Sequence, residues 1–332
     1  MTVTVTKPAI NVREELADLR KPTGIAGEAM LRAETPQEQQ ALIGVGRRNF
    51  FINGGFAVDQ RNDGAEHTKS GSSYNITGLD RWGIYYDTTK IQQKVVTIGT
   101  QTKYACRFTS GASSNTNRLY CFTKIESGSA YFSGQTAMLS FWARSNTFKR
   151  GSLEFRYYNT AESVEHSSCG LFDQPDFYTD WHYYQIPVVF EEDEDGVSHD
   201  RYLFLKFGAN TADVSASDWM EIADVQLELG KVATPFEHRS YGEELALCQR
   251  YYEEVPFGRI TGYHTGTVRA GFQWKVNKRA TPTVTFSSSV LSTGASVTLA
   301  PSGPTTYGMS INASASVASS GIQSQISIDA EL

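Results

Sequence analysis

The sequence predicts a mainly β chain built around an antiparallel β-sandwich, with a short helical arm before it and a smaller β region after it. Three observations carry this reading. The 332 residues include 18 Phe, 17 Tyr and 5 Trp, alongside 28 Gly and only 10 Pro, a balance suited to strands separated by turns. Residues 49–240 break into apolar or alternating runs bounded by turn residues. No amphipathic helix separates these runs, which argues against a parallel α/β sheet.

In chain order, residues 1–48 carry few aromatics and most of the helix signals. Asn11 with Glu14 forms a cap pattern before Leu16 and Leu19, and Pro22 ends that turn. Thr35-Pro36-Gln37-Glu38 opens a second short helix that stops at Gly44 or Gly46. Two such helices cannot bury much surface alone, so the arm docks either on its own chain or on a partner. Val12, Leu16, Leu19, Ile25, Leu31, Leu42 and Ile43 are its candidate attachment residues.

Within 49–240, strands are expected at 137–143, 153–157, 181–190, 202–207, 220–222 and 225–229. In the second of these, Leu153, Phe155 and Tyr157 alternate with Glu154, Arg156 and Tyr158, the period of a half-buried strand. Ser240 to Glu243 reads as a capping box that opens a connecting helix from Glu243 to about Glu253, within a 241–255 connector. Leu245, Leu247, Cys248 and Tyr252 are its candidate buried positions. Residues 256–332 turn rich in Ser and Thr, and after Arg279 only Asp329 and Glu331 are charged. Near-alternating Val284, Phe286, Met309, Ile311, Ile326 and Ile328 predict ordered strands there. Charge-poor strands aggregate unless their edges are covered, which favours burial between subunits.

Composition removes several functional classes. Thirty Lys and Arg against 36 Asp and Glu give a net charge of −6, so a nucleic-acid partner is not expected. No apolar run reaches transmembrane length and the first residues have no signal-peptide pattern; neither membrane insertion nor export is expected. Cys106, Cys121, Cys169 and Cys248 form no C-x-x-C pair, which predicts four buried thiols in a chain made in a reducing cytoplasm. G-x-S-x-G, H-E-x-x-H, G-x-x-x-x-G-K-[ST] and G-x-G-x-x-G are all missing and the six His are scattered. The chain is therefore read as a non-enzyme with no cofactor.

Two features remain as candidate sites. The run Glu191, Glu192, Asp193, Glu194, Asp195 before Gly196 is read first as a solvated loop, with a structural Ca²⁺ or a glycosidase-type acid pair as alternatives. Adjacent aromatics place one ring on each strand face. Tyr85, Tyr86, Tyr158, Tyr183 and Tyr184 are the candidate surface rings, for subunit contact or for stacking on sugars.

Two stretches resemble a known family. Residues 46–61, Gly-Arg-Arg-Asn-Phe-Phe-Ile-Asn-Gly-Gly-Phe-Ala-Val-Asp-Gln-Arg, with Asp80-Arg81-Trp82 after them, are similar to the opening of a domain found in tail fibres and other virion proteins of tailed bacteriophages. Ile222 to Gly230, Ala233 to Glu237 and Glu243 to Tyr252 resemble the closing motif of that domain. Gly55 departs from the pattern, where Asp is commoner. Arg279 to Val284 resembles a strand of the small β domain that often follows. The resemblance implies a jelly-roll sandwich similar to carbohydrate-binding modules. It also implies a virion structural protein: a short homotrimeric tail fibre, joined by residues 1–48 to the tail or its adaptor and meeting a host-surface glycan or protein with residues 256–332. A head decoration, head fibre or other tail component of the same fold is the alternative. Threefold assembly would let charge-poor strands bury one another and multiply weak contacts.

Overall fold

The computed structural model describes residues 48–71, 73–85, 88–111, 119–158, 165–192, 202–256, 260–262, 266–292, 297–315 and 320–331. The candidate attachment residues Val12, Leu16, Leu19, Ile25, Leu31, Leu42 and Ile43 lie outside the described residues.

The chain is mainly β, and its larger unit is a sandwich of two antiparallel sheets. The seven-stranded sheet runs β1 (His67–Thr68), β3 (Lys90–Ile98), β4 (Gln101–Thr109), β14 (Trp219–Leu229), β6 (Thr136–Ser145), β12 (His182–Phe190) and β10 (Gly170–Leu171). The facing sheet runs β2 (Trp82–Ile84), β5 (Tyr120–Ile125), β13 (Tyr202–Gly208), β8 (Glu154–Tyr158) and β9 (Glu165–Ser168). A two-stranded ribbon, β7 (Lys149–Arg150) with β11 (Asp176–Phe177), closes one side. The expected strands thus form, and their neighbours in space are mostly distant in sequence: β14 lies between β4 and β6.

Period-2 alternation sends one side of each strand inward. Phe108, Ile222, Leu227, Leu139, Phe141, Val188 and Phe190 from the larger sheet meet Trp82, Cys121, Leu203, Leu205, Phe207 and Phe155 from the smaller. Each such side chain contributes about 1.5–3 kcal/mol relative to exposure. Cys106 and Cys121 face each other across the core with sulfurs 4.0 Å apart, and all four cysteines are buried thiols rather than disulfide sulfurs. The five-residue helix α1 (Gly128–Phe132) inserts Phe132 against Phe190 at 5.0 Å.

The connecting helix differs from its expected span. Helix α2 covers Tyr241–Gln249, and its start is the capping box: Ser240 Oγ accepts from Glu243 N at 3.3 Å, and Ser240 N donates to Glu243 Oε2 at 2.9 Å. It buries Glu244, Cys248 and Gln249, while Leu245 and Leu247 are half-exposed. Tyr252 is buried, but in strand β15 (Tyr252–Pro256), not in the helix. The reason is non-local: β15 is claimed by β21 (Ser320–Asp329), with Tyr252 opposite Asp329.

The C-terminal region is ordered β structure over its described residues. β21 is flanked on one side by β15 and β16 (Ile260–Gly262) and on the other by β18 (Thr283–Ser292). A second sheet runs β17 (Gly266–Gln273), β20 (Gly308–Ala315) and β19 (Val297–Ser302). Val255, Trp274, Met309, Ile311, Ile326 and Ile328 form its core.

Candidate functional site

The residues that carry the phage-like motifs build a scaffold. Asn49 Nδ2 donates to Val225 O at 3.0 Å, and its Oδ1 accepts from Phe51 N and Leu227 N, tying the opening motif to the closing one. Asn53, held at φ 57°, bonds Val58 and the Asp80 carbonyl, and its N–H reaches Glu244 Oε1 at 2.5 Å. Arg239 donates to Phe51 O, Asn49 O, Glu237 and Glu244. Gly54 passes so close to Val225 O that a Cβ would sit 2.2 Å from it, so only glycine fits there. The same network reaches the C-terminal region. Arg81 and Arg61 pair with Glu331 and stack at 3.6 Å over Tyr251 and Tyr252, respectively. Most of these groups are buried and bonded to protein, and a polar depression of about 740 Å³ opens beside Arg61, Tyr252, Arg279, Asp329 and Glu331.

The open chemistry lies on the outer face of the seven-stranded sheet. Alternation that sends Phe141 and Ala143 of β6 into the core turns Ser140, Trp142 and Arg144 outward. Register sets Tyr183 of β12 opposite Trp142, and Trp142 opposite Ala223 of β14. The Trp142 and Tyr183 rings lie 5.2 Å apart, inclined at 42°. Ala105 and Ala223, both buried, keep the floor beside them low. One row further along, Glu221 has a fully buried side chain held by two arginines. Arg107 Nε and Nη2 reach its Oε1 at 2.8 and 2.5 Å, and Arg144 Nε reaches its Oε2 at 2.7 Å. Arg107 stacks over Trp219 at 4.3 Å and Arg144 over Trp181 at 4.8 Å. Such stacking adds about 0.5–1 kcal/mol at exposed sites and fixes the guanidinium planes. Both arginine side chains stay 30% exposed.

A cleft of about 470 Å³ opens beside this platform, lined by Trp142, Tyr183, Gln185, Lys103, Asp224 and Phe236. A smaller pocket of about 200 Å³ shares Lys103, Asp224, Phe236 and His238 with it, extending the depression toward Tyr104 and Gly55. Asp224 stands at the β-bulge of β14 with φ 49° and pairs with Lys103. At the rim, burial pushes the Glu237 carboxyl up. N–H donors from Asn49 and Arg48 and the Arg239 charge outweigh that and hold it below the usual carboxylate range. Flat aromatic faces next to fixed guanidinium, carboxylate and amide groups can stack on sugar rings and bond their hydroxyls.

The sequence-stated candidates fare unevenly against this geometry. Tyr183 is the one that reaches the platform, at 38% exposure. Tyr184 points inward, stacks on Phe141 at 5.1 Å and donates to Asp176 O. Tyr158 is a correction: both Tyr157 and Tyr158 are buried, because residues 74–76 cover the outside of the smaller sheet and Tyr158 stacks on Tyr202 at 5.5 Å. Tyr85 is half-buried against Tyr74, and Tyr86 lies outside the described residues. Glu191 and Glu192 follow β12, whereas Asp193, Glu194 and Asp195 lie outside the described residues. Among the described residues no group of three or more His, Cys, Asp or Glu is arranged to hold a metal. Sequence reasoning missed Trp142, Arg144, Arg107, Glu221, Trp181 and Trp219. The outward parity of Ser140, Trp142 and Arg144 in an otherwise apolar strand was the signal available.

No protein-family model matches the chain, and no curated protein matches it. Solved structures similar to it include a sugar-binding protein described as putative from Bacteroides thetaiotaomicron, at 13% identity and TM-score 0.36 over 55% of this chain and 100% of that one. Another is the CBM22-1 xylan-binding domain from Paenibacillus barcinonensis, at 11% and 0.30 over 51% and 95%. A third is tailspike protein 4 of bacteriophage CBA120, at 12% and 0.33 over 55% of this chain and 21% of that one. These are low-identity likenesses of strand arrangement.

Proposed function

We propose that this chain is a structural protein of a tailed-phage virion, a short trimeric tail fibre, and that its sandwich holds host-surface glycan on the outer face of the larger sheet. One observation carries the glycan reading: the Trp142–Tyr183 platform bordered by the fixed Arg107–Glu221–Arg144 cluster. Sugar stacking needs flat apolar faces, and hydroxyl recognition needs planar polar groups that do not have to be ordered on binding. Both are in place here. The virion reading rests on the motif resemblance. It is supported by the physical role of those residues, among which Arg61 and Arg81 tie the sandwich to Glu331 of the C-terminal region.

In this reading residues 1–48 attach to the tail, residues 256–332 form the distal end, and no catalysis is assigned. Two measurements test it. Purified full-length protein should bind host-surface polysaccharide, and Trp142→Ala should abolish that binding while leaving the fold intact. Binding that survives in Trp142→Ala rejects the face. Gold-labelled antibody should decorate tails of intact virions; label on the capsid would replace the fibre with a head decoration of the same fold.

A further inference from the structure

The outer face carries Lys94, Lys103, Arg107 and Arg144, with Glu221 and Asp224 among them and Glu237 at the rim of the cleft. The other carboxylate on β14, Glu228, is buried beneath Thr234, which donates to it at 2.6 Å. Lys103 is paired with Asp224, so the local surplus is one positive charge, where Arg107 and Arg144 share the single carboxylate of Glu221, on a chain whose net charge is −6. Two further features make the surplus more than a solvated patch. Glu221 is shared, so neither Arg107 nor Arg144 has a carboxylate to itself. The two guanidiniums are also fixed in orientation over Trp219 and Trp181, with their outer edges open.

We propose that this face selects acidic glycans, taking the carboxylate of a uronic-acid-type sugar on the outer edges of Arg107 and Arg144 while a neighbouring residue of the same glycan stacks on Trp142 and Tyr183. This rests on the glycan-face reading and names its ligand class. Guanidinium and carboxylate match in planar fork geometry. A carboxylate arriving here completes a shared ion cluster whose first anion is already desolvated, so the protein needs no rearrangement. Lys103 lines the adjoining cleft but is paired with Asp224, so the attraction rests on the two guanidiniums and is screened over about 8 Å at physiological salt.

The test uses the full chain with matched pairs of galacturonate, glucuronate and mannuronate oligosaccharides and their methyl esters, which share backbones but not charge, and a phosphodiester-linked glycan as a third arm. At low salt at least one acid should bind about tenfold more tightly than its ester, and the gap should close as salt is raised. Arg144→Gln and Arg107→Gln should erase the preference of acid over ester, read as the ratio of the two affinities in each variant; Arg144→Lys should retain part of it. Thermal unfolding of each variant checks that the fold is intact. Equal binding of acids and esters overturns the acidic-glycan assignment and leaves the glycan face standing. A preference for the phosphodiester glycan over every uronate overturns the carboxylate assignment. Binding of no oligosaccharide overturns this inference and the glycan-face reading together.

Discussion

Around Asn49, Arg81 and Arg239, polar side chains reach acceptors 176 to 250 residues away in sequence, while the buried Asn53 amide ties Val58 to Asp80 nearby. Around Arg107, Glu221 and Arg144, the same residue types form a cluster that is closed below and open above. The two regions lie on one sandwich and differ in what covers them. The first is covered by protein from both ends of the domain, so each bond lost leaves a buried group unpaired. The second keeps its guanidiniums 30% exposed above a buried Glu221, so their donors remain available to a ligand. Polar density marks structure in the first region and a binding face in the second; accessibility, not composition, separates them.

This contrast can be broken by mutation. The largest effect is expected at Glu331, which neutralises both Arg81 and Arg61. Glu331→Ala leaves those buried guanidiniums without it and should cost about 3–5 kcal/mol in denaturant unfolding. A loss below about 1 kcal/mol would show the closed region to be no more sensitive than a surface pair.

The next effect concerns Asp80, which accepts from Gln60 N at 2.6 Å and Gln60 Nε2 at 2.7 Å. Burial raises its carboxyl, the Arg61 charge and the Gln60 donors pull it partly back, and it settles at about 6. An unfolded Asp titrates near about 3.9. The folded chain therefore holds the extra proton between those values, and this group's contribution to stability falls as pH rises from about 4 to about 6, by roughly 3 kcal/mol in all. Asp80→Asn should flatten that slope. Parallel stability–pH curves for the two proteins between pH 4.5 and 7 would refute it.

The smallest stability effect is expected on the open face. Trp142→Ala should cost only about 1 kcal/mol, although it removes the platform. A cost matching that of Glu331→Ala would make Trp142 a structural residue and erase the distinction between the regions.

Much of the fold was legible locally. The expected strands at 137–143, 181–190 and 202–207 correspond to Thr136–Ser145, His182–Phe190 and Tyr202–Gly208. The capping box at Ser240 is present in both halves. The helix it opens ends earlier than its pattern allows, because Tyr252 is worth more in the ladder with Asp329 than in another helical turn. The binding face was scarcely legible. Tyr183 could be named as an outward ring, but its partner Trp142 stands 41 positions away and meets it only through strand register.

The sequence by itself determined the class of fold, the start of the helix at Ser240 and the motifs that tie Asn49 to β14. These follow from period, capping chemistry and motif, all properties of neighbouring residues. The tertiary structure decided which face of each strand is open. Residues 74–76 lie over the smaller sheet and bury Tyr158, whereas the larger sheet keeps Tyr183 exposed. It also decided that Arg107 and Arg144, on strands separated by β14, share one carboxylate. Both outcomes depend on cross-strand register and on the path of a distant segment, and period-2 alternation within a single strand contains neither.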